Sequence, residues 1–284
     1  MRLSATWPLY EADKRLLGYS PHTLKAYALQ ARMLTEFLED PNINEITTED
    51  LKGYLASLVH LKPASVGHRI RFLKSLFRWA QDEGHITGNP SAKLREPKQG
   101  QRVPKALSEE DVEMLREACE GAFEHALVEL VYTTGCRIGE VYQMNRGDIN
   151  LNSRSVVVRG KGDKDREVYF HHRASIWLRK YLSSRTDDDA ALFVTRRKFG
   201  NEKRPHRMSI DMLRYAIKQI AQRAEVETNV YPHKFRHSYA THLLNNGAPM
   251  EVVSSLMGHS KIATTQIYAH LTGARRKEMY QKYF

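Results

Sequence analysis

The stretch PHKFRHSYATHLLNNGAPMEVVSSLMGHSKIATTQIYAH, Pro232–His270, decides how this chain is read. Apolar residues recur through it at helical spacing, and His233, Arg236, His259 and Tyr268 stand among them with no role in a core. These are side chains for phosphate chemistry. A phenol can attack phosphorus, a guanidinium fork can hold two phosphate oxygens, and imidazoles can move or share protons. Upstream, TTGCRIGE (Thr133–Glu140) adds Arg137 and Glu140, and the polar turn RGKGDKDR (Arg159–Arg166) adds Lys161. In chain order the set is Arg, Lys, His-x-x-Arg, His, Tyr.

Each residue has a plainer reading. Arg137 alone is a surface charge, but Glu140 follows one helical turn later, where it can orient the guanidinium or a nearby imidazole. Lys161 alone is a solvated turn lysine. The GKG around it lacks the full GxxxxGK[ST] pattern and following helix of a phosphate-binding loop. His233, His237 and His242 invite a zinc site, yet only two cysteines are present, no HExxH pattern occurs and no carboxylate stands at useful spacing. His237 and His242 are read as packing or hydrogen-bonding residues. Tyr268 is one of 14 tyrosines, and its claim rests on its position among polar neighbours in ATTQIYAH.

The ordered set resembles the tyrosine recombinases, close to the Xer type and to the integrases of bacterial mobile elements. The likeness covers the whole chain and is strongest from Tyr132 to Leu271. It implies that Arg137 and Arg236 clamp the non-bridging oxygens of one phosphodiester while Tyr268 attacks it. Lys161, the first lysine of GKGxKxR, would protonate the leaving 5′ oxygen. His233 would take the tyrosine proton or bond the phosphate, and His259 would complete the phosphate shell. Lys164 and Arg166 become phosphate contacts, and Glu140 a supporting residue. Cys136 and Phe235 stand where the family more often has leucine.

The implied reaction is site-specific strand exchange through a 3′-phosphotyrosyl intermediate, with no ATP and no divalent metal. The implied partner is duplex DNA carrying a short inverted-repeat core site, bound by a homotetramer on two duplexes, alone or with a second recombinase. Chromosome-dimer resolution and mobile-element integration share this chemistry. A type IB topoisomerase would use it without a defined site, and a catalytically silent DNA-binding protein would leave reactive positions unfilled.

Working outward, residues His22–Asp40 carry Leu24, Tyr27, Ala31, Leu34 and Leu38 at helical intervals, with a shorter helix before Gly18. Thr47–Asp50 reads as a capping box opening a helix through His60, and Ala64–Glu83 as a further long helix. Arg69, Arg71, Lys74 and Arg78 on that helix are a solvated face on charge alone, and groove-facing DNA contacts given the resemblance. REPKQGQRVPKA (Arg95–Ala106) has two prolines and a glycine and no apolar period, the composition of a linker.

Ser108–Asp111 is a second capping box. SVVVR (Ser155–Arg159) and EVYF (Glu167–Phe170) predict a hairpin with Lys161 at its tip, Leu192–Thr195 a short strand, and Ser209–Ala224 an amphipathic helix. In the tail, Gly273 is a break after which Met279, Tyr280, Tyr283 and Phe284 share an apolar face. By resemblance this is a helix exchanged between neighbouring protomers. The fold expected is mainly α with a small β-sheet. An N-terminal SAM-like helical bundle (1–95), a linker (96–106) and a C-terminal catalytic domain (107–284) would close round DNA as a C-shaped clamp.

Charge fits this reading. The chain of 284 residues has a net charge of +11 and a pI near 9.5. The excess is shared, with 15 basic against 11 acidic residues in 1–103 and 29 against 22 beyond, which suits a polyanion touched by both halves. Two cysteines are too few for a disulfide scaffold, and no apolar run approaches a membrane span or a signal segment. The expected setting is cytoplasmic and nucleoid-associated.

Overall fold

A computed structural model describes residues 1–98, 105–160, 165–195, 205–258 and 281. The chain divides into two compact units, Met1–Gln101 and Arg102–Phe284. The first is helical: α1 (Leu3–Leu16), α2 (Pro21–Leu38), α3 (Thr48–Ser57) and α4 (Pro63–Asp82), with a 3-10 turn at Ile43–Glu45. Local chemistry sets the starts. Ser20 Oγ accepts from Thr23 N at the head of α2, where Pro21 supplies a preset φ, and Thr47 and Asp50 cap α3 reciprocally. Helix α4 is the spine, burying Ile70, Phe72, Leu73, Leu76, Phe77, Trp79 and Ala80 against Tyr10, Leu34 and Leu51 of the other three helices.

The second unit runs α5 (Glu109–Glu117), α6 (Gly121–Thr134), α7 (Ile138–Gln143), β1 (Ile149–Asn150), β2 (Ser155–Arg159), β3 (Asp165–Tyr169), α8 (His172–Ser183), α9 (Ile210–Arg223), α10 (Pro232–Asn245) and α11 (Met250–Met257). The capping box at Ser108 and Asp111 opens α5. Apolar nearly all round, α6 is the central helix, burying Phe123, Ala126, Leu127, Val128, Leu130 and Val131. The strands form an antiparallel sheet in the order β1-β2-β3, with Val156 opposite Val168 and Val158 opposite Arg166. The hairpin is therefore present, and β1 adds a strand that two residues are too short to announce. Leu192–Thr195, expected as a strand, forms among the described residues an isolated bridge from Val194 to Arg207.

One buried charge cluster holds the start of this unit. Glu129 is wholly buried on α6, and Arg116 of α5 reaches it with a two-pronged contact at 2.7 and 3.0 Å. The same guanidinium lies 5.5 Å over the Tyr132 ring. Losing one partner of such a pair strands the other charge away from water. Glu129→Gln is therefore expected to lower the unfolding free energy by about 3 to 5 kcal/mol. Glu113→Gln, at the exposed partner of the same arginine, should change it by no more than about 0.5 kcal/mol. Urea denaturation followed by circular dichroism measures both.

Candidate active site

The site begins where α6 stops. Gly135 has φ +60°, the left-handed conformation that ends helices, and a Cβ there would lie 2.3 Å from the Tyr239 ring. Glycine is thus required twice over. The turn leads through buried Cys136 to Arg137, whose backbone N–H donates to Glu140 Oε2 at 2.8 Å while its Nη1 donates to Oε1 at 2.9 Å. The spacing of three seen in the sequence is this box at the head of α7.

Glu140 also receives the fork of Arg166, Nη1 to Oε1 at 3.0 Å and Nη2 to Oε2 at 2.8 Å. Burial pushes this carboxyl up, but the hydrogen bonds from Arg166 and from Arg137 outweigh it and hold the group below the usual carboxylate range. Arg166 was expected as a phosphate contact. It is instead turned inward, with its side chain only 12% exposed and Nε donating to Leu256 O. The carboxylate beside it is a stronger local partner than solvent.

Arg236 comes from the first turns of α10 and is buried. It donates from Nη1 to Gly135 O and from Nη2 to Met257 O. Those carbonyls lie at the C-terminal ends of α6 and α11, where helix geometry leaves acceptors unpaired. His233, one turn earlier, keeps an exposed edge. The part of its ring set into the wall loses water, and this burial, then Arg236, then Arg137, lowers its pKa from 6.5. Imidazole is therefore neutral at neutral pH and able to accept a proton.

Arg137, His233 and Arg236 all line one cavity of about 600 Å³. Arg214 and Lys218 of α9 line it too, and the sequence reading missed them. Their i, i+4 spacing opposite the apolar face of α9 was the available signal. His242 has a structural task, bonded to Tyr132 Oη through Nδ1 at 2.8 Å and to Leu107 O through Nε2 at 2.9 Å. Lys161, Lys164, His259, Tyr268 and the apolar tail positions lie outside the described residues. Among the described residues, no group of three His, Cys, Asp or Glu could hold a metal ion and no helix is long and apolar enough to cross a membrane.

In the N-terminal unit the four cations do not share a face. Arg71, Lys74 and Arg78 are exposed along one side of α4. Arg69, two residues before Arg71, is turned away by about 160° at 3.6 residues per turn and acts on the Tyr54 hydroxyl. Arg71 and Arg78 stand 3.6 and 3.8 Å from Glu96 and Asp82, loose exposed pairs that cost little to exchange for phosphate.

Comparison with known proteins follows the same outline. Residues 105–275 match the phage integrase family, and residues 15–84 match the phage integrase N-terminal SAM-like domain. The chain is 36% identical over 283 residues to tyrosine recombinase XerD of Ralstonia nicotianae, covering 94% of this chain and 89% of that one. To XerC of Oceanobacillus iheyensis it is 34% identical, covering 93% and 90%. A lambda integrase dimer bound to a COC′ core site shares the fold, with a TM-score of 0.75 at 20% identity over 93% of this chain and 97% of that one. The same integrase is known as a tetramer bound to a Holliday junction.

The charge arrangement is testable in the free protein. His233 should titrate below pH 6.5, since the folded state disfavours its protonated form, and Arg137→Ala should move it upward by removing one of the two cations responsible. The sign for stability follows. As pH falls below the unfolded value, the unfolded chain takes up a proton that the folded chain resists, and this contribution to stability is lost. NMR titration of the imidazole measures the shift.

Proposed function

We propose a strand-exchange mechanism for this chain from one premise: it belongs to the phage integrase family and is an Xer-like tyrosine recombinase, an enzyme that cleaves and rejoins DNA at defined sites. The observation that carries the mechanism is the cavity in which Arg137, His233 and Arg236 meet from α7 and α10. Two guanidinium groups and a neutral imidazole are what a reacting phosphodiester needs on its non-bridging side.

In this reading Tyr268 Oη attacks the scissile phosphorus and loses its proton to His233. Arg137 and Arg236 hold the non-bridging oxygens, with His259 as a further donor, and they bind most strongly when charge grows on the pentacoordinate phosphorane. The bond to the 5′ oxygen breaks as Lys161 protonates it, leaving a 3′-phosphotyrosyl enzyme. Attack by the 5′ hydroxyl of the partner strand then reverses each transfer. The phosphotyrosyl bond conserves the phosphodiester energy, so rejoining needs no ATP.

The DNA-bound forms of lambda integrase support extending the reading to a core site held by a dimer and exchange within a tetramer on two duplexes. Residues 1–95 and 107–284, joined by 96–106, would then each contact the duplex. The exposed cations Arg71, Lys74 and Arg78 and the cavity cations Arg214 and Lys218 serve the phosphate backbone. The likeness to XerD and XerC favours exchange at a short core site over integration of a mobile element.

Two experiments test the roles. Tyr268→Phe should keep site binding, since one hydroxyl is lost, and form no covalent adduct on a nicked suicide substrate; adduct at wild-type level would move the nucleophile elsewhere. Lys161→Ala should cleave an ordinary site poorly but recover on a substrate with a 5′-bridging phosphorothiolate, whose sulfur leaves without a proton. Arg137→Ala and Arg236→Ala should stay inactive on both. Recovery of the arginine variants with the lysine variant still dead would reverse the assignments.

A further inference from the structure

Glu140 is saturated. Each of its oxygens accepts two hydrogen bonds, one from Arg137 and one from Arg166, and an ionised carboxylate has about four lone-pair positions to offer. Arg166 is locked in place by more than this carboxylate. Its residue is fixed in the sheet register opposite Val158, and its Nε donates to Leu256 O at 2.9 Å, in the last turn of α11. Its side chain also lies against Gly258, where an added Cβ would come within 3.1 Å of it. The next carbonyl, Met257 O, is taken by Arg236. One guanidinium thus ties the hairpin to α7 and to the end of α11, from which the chain runs on to His259 and Tyr268.

We infer that Arg166 is a positioning residue for strand cleavage, which touches no DNA and acts by fixing Arg137 through Glu140 and by fixing the end of α11. This rests on the strand-exchange reading above. A phosphate contact needs donors aimed outward, whereas three of the donors of Arg166 are spent on Glu140 and Leu256 within its own unit. Lysine cannot replace it. An ammonium keeps the charge but lacks the planar fork that reaches both Glu140 oxygens while a third N–H meets Leu256 O.

The test is single-turnover adduct formation on a suicide substrate at saturating DNA, beside half-site gel shifts across salt concentrations and thermal melts. Arg166→Lys should slow adduct formation by about a hundredfold, the scale expected for a small misplacement of reacting groups. Half-site affinity and its salt dependence should stay as in the wild type. A phosphorothiolate leaving group should give no recovery, because the defect is not in protonation. Glu140→Asp keeps both charges and shortens the reach, so it probes the same tie from the other end should the lysine variant melt. The double variant should be no slower than the slower single one, as for groups acting as a unit.

Wild-type cleavage rates in Arg166→Lys and Glu140→Asp would overturn the inference. So would rates that multiply in the double variant. Weaker half-site binding with a shallower salt slope and a normal rate at saturation would make Arg166 a phosphate contact after all. If the wild-type protein itself forms no adduct, the strand-exchange reading falls and this inference falls with it.

Discussion

Two guanidinium groups facing one cavity repel each other, and the catalytic unit is organised around making that arrangement tolerable. Arg137 is balanced by a carboxylate, since Glu140 is buried and accepts from it twice. Arg236 is balanced by dipoles. Two of its bonds go to Gly135 O and Met257 O, at the negative ends of α6 and α11. Backbone carbonyls position a cation without neutralising it, so these two bonds leave the charge of Arg236 in place. A carboxylate in their place would have cancelled much of that charge.

The elements of the fold were legible because their signals are local. Capping boxes at Thr47 and Ser108 formed as their spacing required, the long helices followed the apolar period, and the glycine and charges between Ser155 and Phe170 gave a hairpin. Leu192–Thr195 has strand-like residues but, among the described residues, no neighbouring segment pairs with it along its length. It makes one bridge to Arg207 and exchanges backbone bonds around His206 and Met208. Strand character in a sequence says nothing about the length of the partner. The sequence motifs also singled out Arg137, Arg236 and His233 as candidates without showing that they meet in one cavity, which depends on α6, α7 and α10 converging.

Direction was the harder quantity. Four cations on α4 looked equivalent in the sequence, yet helical rotation separates Arg69 from the other three and sends it toward Tyr54. Arg166 looked like an outward cation in a basic turn, and a carboxylate 26 residues earlier drew it inward. No local pattern encodes that contact. A charged residue beside a catalytic motif can bind substrate or hold the motif together, and the choice is made by partners remote in sequence.

The two glycines that end α6 and α11 show why the site tolerates so little variation in its backbone. Gly135 and Gly258 both have left-handed φ, +60° and +63°, which costs a residue with a Cβ roughly 1 to 2 kcal/mol. Each is also pressed by a side chain, Tyr239 on the first and Arg166 on the second. The contacts differ in rigidity. An aromatic ring 2.3 Å from the added carbon cannot yield, while a flexible arginine at 3.1 Å can shift by a few tenths of an ångström. Yet the arginine is the one tied to Glu140 and Leu256, so yielding there would disturb the carboxylate that holds Arg137. The glycine that looks more replaceable by space alone is therefore coupled to the site through its neighbour, and the one that looks most constrained guards the carbonyl on which Arg236 depends.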